Sequence, residues 1–201
     1  MDDLEQLNLD KIPNTDHEIY PLLKQRWSPR AFSDDEVEEK ELQRLFEAVR
    51  WSASSYNIQP WRFIYAHKDS EGYDKIKSCL TDFNKSWVVN APVLMLTFYK
   101  TDNDKGDDNR VAMHDLGLAM GSMTIQAQYM NIALHMMAGI EIDKIKETFD
   151  IPEGFEPATG VAIGYYGGDL DQLNDELKER EKKERQRMPQ EEFAFKNSWN
   201  S

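Results

Sequence analysis

The sequence predicts an α+β or three-layer α/β domain, because segments with helical and strand periodicity alternate along the chain. Residues 35–52 repeat apolar side chains at three- and four-residue steps, which is typical of an amphipathic helix that buries one face. Residues 93–99 are almost continuously apolar, which is typical of a strand in the centre of a sheet. A length of 201 residues fits one domain with a sizeable core.

The N-terminal half is expected to contain helices and two strands. Residues 1–14 have the composition of a polar arm. Thr15 and Glu18 then have the spacing of a capping box for a short helix toward Arg26, which Pro21 should bend. The remaining predicted elements are a helix over residues 35–52, a strand over 61–66, a helix over about 69–80 and a strand over 93–99.

The C-terminal half is expected to centre on one long helix over about residues 110–137, which Gly139 would terminate. At 1.5 Å per residue this helix would be about 40 Å long and would cross the whole domain. A charged loop over residues 101–109 precedes it, and a short helix over 141–150 and a strand over 159–166 follow.

A change of composition near residue 169 predicts a C-terminal extension of a single domain that spans residues 15–201. Phe193, Phe195 and Trp199 lie near its end. Because large apolar side chains are seldom left in water as a group, we expect these three to dock on this subunit or on a neighbour.

The net charge of −13 comes from 37 acidic and 24 basic residues. It argues against nucleic acid and against an anionic membrane surface as partners, because both need a positive field. An anionic cofactor would therefore need a local cluster of basic side chains. Residues 111–140 are rich in apolar side chains, but polar residues interrupt them long before the roughly twenty that a membrane span requires.

Cys79 is the only cysteine, which excludes an intrachain disulfide and a thiolate metal cluster. Residues 1–5 have neither the basic nor the apolar region of a secretory signal. Together these observations predict a cytoplasmic location.

The polar segment from Ser54 to Trp61, SSYNIQPW, lies between a predicted helix and a predicted strand. A connection of this kind needs only a cap and a turn residue. The additional hydroxyl and amide groups suit the edge of a flat heterocycle that presents alternating carbonyl and N–H groups.

Two basic groups have a composition typical of phosphate binding. Arg26 and Arg30 flank Ser28, and a guanidinium group binds phosphate through paired hydrogen bonds. Arg185 and Arg187 would face the same side of an extended chain, where both could bind one phosphate. A solvent-exposed run of charges explains the second pair equally well.

Several classes of catalytic site are missing from the sequence. The four histidines lack metal-ligand spacing, and there is no nucleophile elbow, Walker loop or Rossmann glycine fingerprint. The carboxylates are too numerous for one pair to stand out as an acid–base couple. We therefore expect no metal and no catalytic side chain, but a cofactor that performs the chemistry while the protein positions it.

From about residue 16 to residue 195, the order of these motifs resembles the FMN-dependent nitroreductase family. The matching elements are Arg26-x-Ser28-x-Arg30-x-Phe32, Ser54-Ser55-x-Asn57-x-Gln59-Pro60-Trp61, a Gly-containing helix, Ala138-Gly139 and Arg185-x-Arg187-x-Pro189. The resemblance implies a central antiparallel sheet flanked by helices, a homodimer with FMN at its interface, and a C-terminal segment that extends onto the partner subunit.

The resemblance also implies a role for each matching residue. The phosphate end of FMN would be held by Arg26, Ser28, Arg185 and Arg187, with Arg30 toward the pyrimidine edge of the ring. The flavin ring would be met by Ser54, Ser55 and Asn57 of the other subunit, with Gln59 supporting their loop and the Ala138-Gly139 backbone near N5. Trp27 stands where the family more often has Arg or Lys, and Tyr56 replaces a smaller residue.

The activity implied is that of an oxidoreductase that passes a hydride from NADH or NADPH through flavin N5 to an electrophilic acceptor in two half-reactions. Nitroaromatics, quinones and flavins are the expected acceptors. Two alternatives stay open: a non-catalytic FMN-binding carrier or regulator, and a sibling activity on the same scaffold such as reductive dehalogenation.

Overall fold

The computed structural model describes residues 3–103 and 105–199, and its centre is a four-stranded antiparallel sheet in the order β1-β2-β4-β3. The strands are β1 (Trp61–His67), β2 (Val93–Lys100), β3 (Ile132–Met137) and β4 (Phe155–Tyr165). The predicted antiparallel sheet and the interior position of β2 are confirmed.

Helices cover both faces of this sheet. Within the described residues they are α1 (Asp3–Asp10), α2 (Pro21–Gln25), α3 (Glu39–Arg50), α4 (Glu71–Ser78), α5 (Asp82–Lys85), α6 (Ala112–Tyr129), α7 (Ile142–Thr148) and α8 (Asp175–Lys182). None of the helices in this part of the chain is both long enough and apolar enough to cross a bilayer.

The side chains of β2 show why the domain has three layers. Val93 and Met95 pack in one buried cluster with α3 and α6, whereas Leu94 and Leu96 pack in a second cluster with α4, α7 and α8. Successive residues of a strand project to opposite faces, so both faces of β2 are buried. The predicted three-layer arrangement is confirmed.

The prediction of one long helix over residues 110–137 is wrong. Helix α6 ends at Tyr129 after about 27 Å, and Asn131 adopts a left-handed conformation with φ of 59°. The chain then reverses into β3, where Ile132 pairs with Tyr165 of β4. Ala, Leu and Met favour a helix, but pairing with β4 and burial of Ile132 and Leu134 override that preference.

The N-terminal region also differs from its predicted form. Part of the expected polar arm folds as α1, and the indole Nε1 of Trp27 donates a hydrogen bond to Asn8 Oδ1 at 3.2 Å. The capping box predicted at Thr15 is wrong, because α2 begins at Pro21. Proline at a first helical position loses no internal hydrogen bond, so it starts this helix rather than bending one.

The aromatic side chains at the C-terminus stay largely in solvent. Phe193 and Trp199 are 58% and 83% exposed, and the Phe195 ring packs 5.1 Å from the Trp199 ring. The expected docking is therefore not made on the core of this chain. Docking on a neighbouring subunit stays a prediction, as does the cytoplasmic location.

Candidate functional site

A cleft of about 230 Å³ lies where the N-terminal segment, residues 26–30 and residues 180–187 converge. Seven basic side chains and one carboxyl group line it within the described residues. The basic residues are Lys11, Arg26, Arg30, Arg180, Lys183, Arg185 and Arg187, the acid is Glu181, and Trp27 and Ser28 complete the lining. In a chain of net charge −13, this basic cleft is a pronounced local excess of positive charge.

The segment from Arg26 to Arg30 is extended and runs along one wall of the basic cleft. Arg26 leaves α2 with φ of −62° and ψ of 125°, and its NH1 group donates to Ser28 Oγ at 3.2 Å. The carbonyl of Pro29 lies 2.8 Å from His135 Nδ1 on β3. Burial lowers the pKa of His135 to about 4, so the ring is neutral near pH 7 and donates from Nδ1 to that carbonyl.

Arg30 is held by Glu181 of α8. Its NH1 group lies 3.1 Å from Glu181 Oε1, and its backbone N–H donates to Glu181 Oε2 at 3.1 Å. Glu181 is 1% exposed, and this burial raises its pKa although the contacts with Arg30 oppose the shift. The Glu181 carboxyl group thus lies against the charge of Arg30, and the expected place of Arg30 toward the pyrimidine edge of the ring stays a prediction.

Arg185 and Arg187 line the cleft in different ways. The NH1 group of Arg185 donates to the carbonyls of Lys11 at 3.0 Å and Lys24 at 2.5 Å, so the side chain ties three segments together. Arg187 is exposed, and its NH1 group donates to the carbonyl of Gln186 at 2.7 Å. The alternative of a purely solvent-exposed charge run does not apply to Arg185.

The electrostatics of the cleft suit a bound phosphate. Burial lowers the pKa of both Arg26 and Arg185; repulsion by Arg187 lowers each further, and repulsion by Arg26 adds to the shift of Arg185. In the described part of the chain, the buried Nε of Arg30 has no hydrogen-bond partner. A dianion in the cleft would relieve the repulsion and accept further hydrogen bonds, so these residues fit the phosphate of a nucleotide such as FMN.

The loop from Ser54 to Gln59 is the second candidate region, and it has an unusual backbone. Tyr56, Asn57 and Gln59 have φ of 49°, 58° and 51°, a region that residues other than glycine seldom occupy. Tyr56 is 97% exposed. Backbone strain of this kind costs energy and often occurs at binding sites.

Several hydrogen bonds hold this loop in its conformation. The N–H of Ser55 donates to Asp115 Oδ2 on α6 at 3.0 Å, and the N–H of Gln59 donates to Ser54 Oγ at 3.1 Å. Gln59 also donates from Nε2 to the carbonyl of Asn57 at 3.0 Å, and its supporting role in a flavin site stays a prediction. None of these loop residues lines the basic cleft of the same chain.

Ala138 and Gly139 follow β3 and form a third candidate region. The carbonyl of Gly139 accepts hydrogen bonds from the Thr81 N–H and from Asn84 Nδ2, both at 3.0 Å. A Cβ atom at position 139 would lie 2.6 Å from Thr81 Oγ1 and from Asn84 Nδ2. Glycine is therefore required here by close packing against α5 and the residue before it.

Several site residues were missed by sequence reasoning. Lys11 lies in the segment read as a polar arm, and Glu181 lies in a charged run where no single acid stands out. Lys183 could have been found, since Lys183, Arg185 and Arg187 alternate and would share one side of an extended chain. Asp115 also carried a signal, as the one carboxylate within the helix Ala112–Tyr129.

Comparison with known proteins identifies the family of the chain. The model of the Nitroreductase family matches residues 23–86 and 78–165. The chain belongs to the nitroreductase family. The matched residues include Arg26 to Arg30, the Ser54–Gln59 loop and Gly139, but neither Lys11 nor residues 180–187.

The chain is also similar to individual known proteins. A solved structure described as an oxidoreductase containing FMN is 35% identical, covers 94% of this chain and 97% of its own, and has a TM-score of 0.88. The FMN reductase [NAD(P)H] of Bacillus subtilis is 23% identical over 167 residues, 74% of this chain. An uncharacterized 15.4 kDa protein of Mycolicibacterium smegmatis is 32% identical over 99 residues, 48% of this chain. The chain spans 66% of the length of each of these last two relatives.

Proposed function

We propose that this protein is an FMN-dependent oxidoreductase that passes a hydride from NADH or NADPH to an electrophilic small molecule. The observation that carries the proposal is the basic cleft, which has seven cationic side chains in a chain of net charge −13. Membership of the nitroreductase family supports FMN as the phosphate-bearing ligand, and the FMN-containing relative supports it further.

Different parts of the chain would hold the two ends of FMN. Its phosphate would bind in the basic cleft to Arg26, Ser28, Arg185 and Arg187. The rim of its ring would meet the hydroxyl and amide groups of Ser54, Ser55 and Asn57. When bound, FMN supplies the redox chemistry by taking up a hydride at N5 and releasing it to a nitroaromatic, a quinone or a flavin.

The protein would contribute binding, orientation and a fixed electrostatic environment. Guanidinium groups at the phosphate end fix the ligand along its length, and the strained loop presents donors and acceptors that need little reorganisation on binding. The Gly139 backbone, pinned by Thr81 and Asn84, gives a rigid edge close to the end of β3. No side chain is assigned a covalent or proton-transfer role.

The site would be completed by a second copy of the chain. The exposed face of α6 carries Met113, Leu118 and Tyr129, which are 57%, 42% and 69% exposed. Gly117 and Gly121 on this helix have open space where a Cβ atom would lie, so another backbone could approach closely. Pairing through this face would bury the apolar side chains and bring the Ser54–Gln59 loop of one subunit to the basic cleft of the other.

Anaerobic reduction tests the proposed activity. The purified protein is loaded with FMN and titrated with NADH or NADPH while the flavin absorbance near its visible maximum is followed. The proposal predicts bleaching by at least one nicotinamide and recovery of the colour when a quinone or nitroaromatic is added. Flavin that stays oxidised with both donors would contradict the reductase and would favour a carrier.

A further inference from the structure

Lys11 joins the N-terminal segment to the C-terminal wall of the basic cleft. The side chain is 4% exposed, and its Nζ donates a hydrogen bond to the carbonyl of Lys183 at 2.6 Å. The carbonyl of Lys11 accepts from Arg185 NH1 at 3.0 Å. Lysine seldom lies fully buried unless its charge is compensated, so this position needs an explanation.

Further contacts fix this segment against the floor of the cleft. The Nζ of Lys11 lies 5.2 Å from the centre of the Trp27 ring, which is within the range of a cation–π interaction. Trp27 in turn donates to Asn8 Oδ1, in the helix that precedes Lys11. The ammonium group is thus directed into the cleft by packing on both sides, rather than extended toward bulk water.

The charge of Lys11 is poorly compensated by the chain itself. Burial lowers the pKa of its ammonium group and Arg185 lowers it further, while Glu181 and Asp10 oppose the shift without cancelling it. Glu181 is the one carboxyl group that lines the cleft among the described residues. Glu181 directs both of its oxygens to Arg30. An ammonium group has three N–H donors, and the described residues accept one hydrogen bond from Lys11 Nζ. A bound anion would satisfy the remaining donors.

We propose that Lys11 is a phosphate-binding residue of the basic cleft and that it sets the preference for FMN over unphosphorylated riboflavin. This inference rests on the proposed function. It adds to that function a residue outside the part of the chain that the family model matches. A charge-assisted contact of this kind contributes about 1.5–3 kcal/mol, or roughly a tenfold to hundredfold change in affinity.

The contrasting possibility is that Lys11 only ties the N-terminal and C-terminal segments together. A purely structural tie would change the affinity for FMN and for riboflavin by the same factor, since both ligands share the ring and the ribityl chain. If Lys11 instead binds the phosphate, replacing it would change the affinity for FMN alone. The ratio of the two dissociation constants therefore separates the two roles.

The test uses the full chain in apo form, titrated with FMN and with riboflavin by flavin fluorescence. Lys11→Gln removes the charge but keeps a donor for the Lys183 carbonyl, and Lys11→Arg restores the charge. Lys40→Met is the matched control, because it removes an exposed lysine from α3. We expect Lys11→Gln to lower the affinity for FMN roughly tenfold or more and the affinity for riboflavin less than twofold. Lys11→Arg should recover most of the lost FMN affinity. Lys40→Met should change the affinity for neither flavin.

An unchanged FMN affinity in Lys11→Gln, or equal losses for FMN and riboflavin, would overturn the inference. If the wild-type protein binds no FMN, the proposed function fails, and thermal unfolding with inorganic phosphate then tests the cleft separately. Phosphate should raise the Tm of the wild-type protein more than that of Lys11→Gln, and equal shifts would overturn the inference. If Lys11→Gln does not fold, Lys11→Met carries the same test, because it replaces the ammonium group by an uncharged side chain of similar length. Asn8→Ala loosens the segment that carries Lys11 but keeps its charge, so it should lower the affinities for FMN and riboflavin by the same factor.

Discussion

The basic cleft and the Ser54–Gln59 loop serve opposite ends of one proposed ligand, and they are built in opposite ways. The cleft collects side chains from three segments as far apart as Lys11 and Arg187. The loop is six consecutive residues with three positive φ angles. The cleft therefore depends on tertiary packing, whereas the loop depends on local backbone geometry, held by hydrogen bonds within the loop and by the buried carboxylate of Asp115.

The two regions also prepare for a ligand by different means. In the cleft, the unfavourable quantity is buried positive charge: burial lowers the pKa of Arg26 and Arg185, and repulsion by neighbouring arginines lowers it further. In the loop, it is backbone strain at Tyr56 and Asn57. Charge can be neutralised by a ligand from solvent, but the exposed loop needs a surface to lie against. The ring end of FMN would therefore need a second subunit, whereas the phosphate end would not.

Replacing Arg30 should have the largest effect on the cleft. Arg30→Met leaves the Glu181 carboxylate buried without its partner, which typically costs about 3–5 kcal/mol of unfolding free energy. Urea unfolding of the apo protein measures this loss. The double variant Arg30→Met/Glu181→Gln removes the stranded charge and should recover part of the stability. A loss below about 1 kcal/mol in the single variant would show that Glu181 does not depend on Arg30.

The stability of the protein should depend on pH through His135, which lies against the Pro29 carbonyl. Its pKa of about 4 in the folded chain lies below the unfolded value of 6.5, so the unfolded chain binds the proton first. The free energy of unfolding therefore falls as pH falls from about 6.5 toward 4, by up to about 3 kcal/mol. Urea unfolding at several pH values checks this, with His135→Gln as the control that keeps a donor for the Pro29 carbonyl. Equal pH dependence in both proteins would contradict the assignment.

The two tail arginines should contribute unequally to FMN binding. Arg185→Ala removes a half-buried guanidinium that also ties Lys11 to Lys24, and we expect a loss of about 1.5–3 kcal/mol in FMN affinity. Arg187→Ala removes an exposed group that water screens, and we expect about 1 kcal/mol or less. Fluorescence titration at low and high salt measures both losses. A larger effect at Arg187 would reverse the order predicted from burial.

Weakening the support of the loop should leave the phosphate end intact. Asp115→Asn replaces a charged acceptor for the Ser55 N–H by a neutral one, and should cost about 1 kcal/mol of unfolding free energy. FMN and riboflavin should then lose affinity by the same factor, because the change lies at the ring end. A loss confined to FMN would place the loop at the phosphate instead.

Relieving strain at the tip of the loop should have the smallest effect. Tyr56→Gly permits the positive φ without steric cost but increases the entropy of the unfolded chain, so the net change should lie within about 0.5 kcal/mol. Thermal unfolding measures it. Tyr56→Val is the informative comparison, because a β-branched residue at positive φ should destabilise the protein clearly.

The sequence was a good guide where local pattern decides structure and a poor one where distant segments meet. Periodicity predicted α3, β1 and β2, and the polar composition of Ser54 to Gln59 marked that loop. The same reasoning predicted one continuous helix over α6 and β3, because Ala, Leu and Met favour helices. Only pairing with β4 reveals that β3 is a strand. Lys11 and Glu181 were missed for a related reason. Each has an ordinary local sequence, and its environment exists only after the chain ends have packed.

A crystal structure with bound FMN tests the central claim most directly, because it locates both ends of the ligand at once. The phosphate is predicted to lie in the basic cleft, in contact with Arg26, Ser28 and Arg185. The ring is predicted to contact the Ser54–Gln59 loop of a second copy of the chain. A phosphate outside the cleft, or a ring enclosed by one chain alone, would contradict the account.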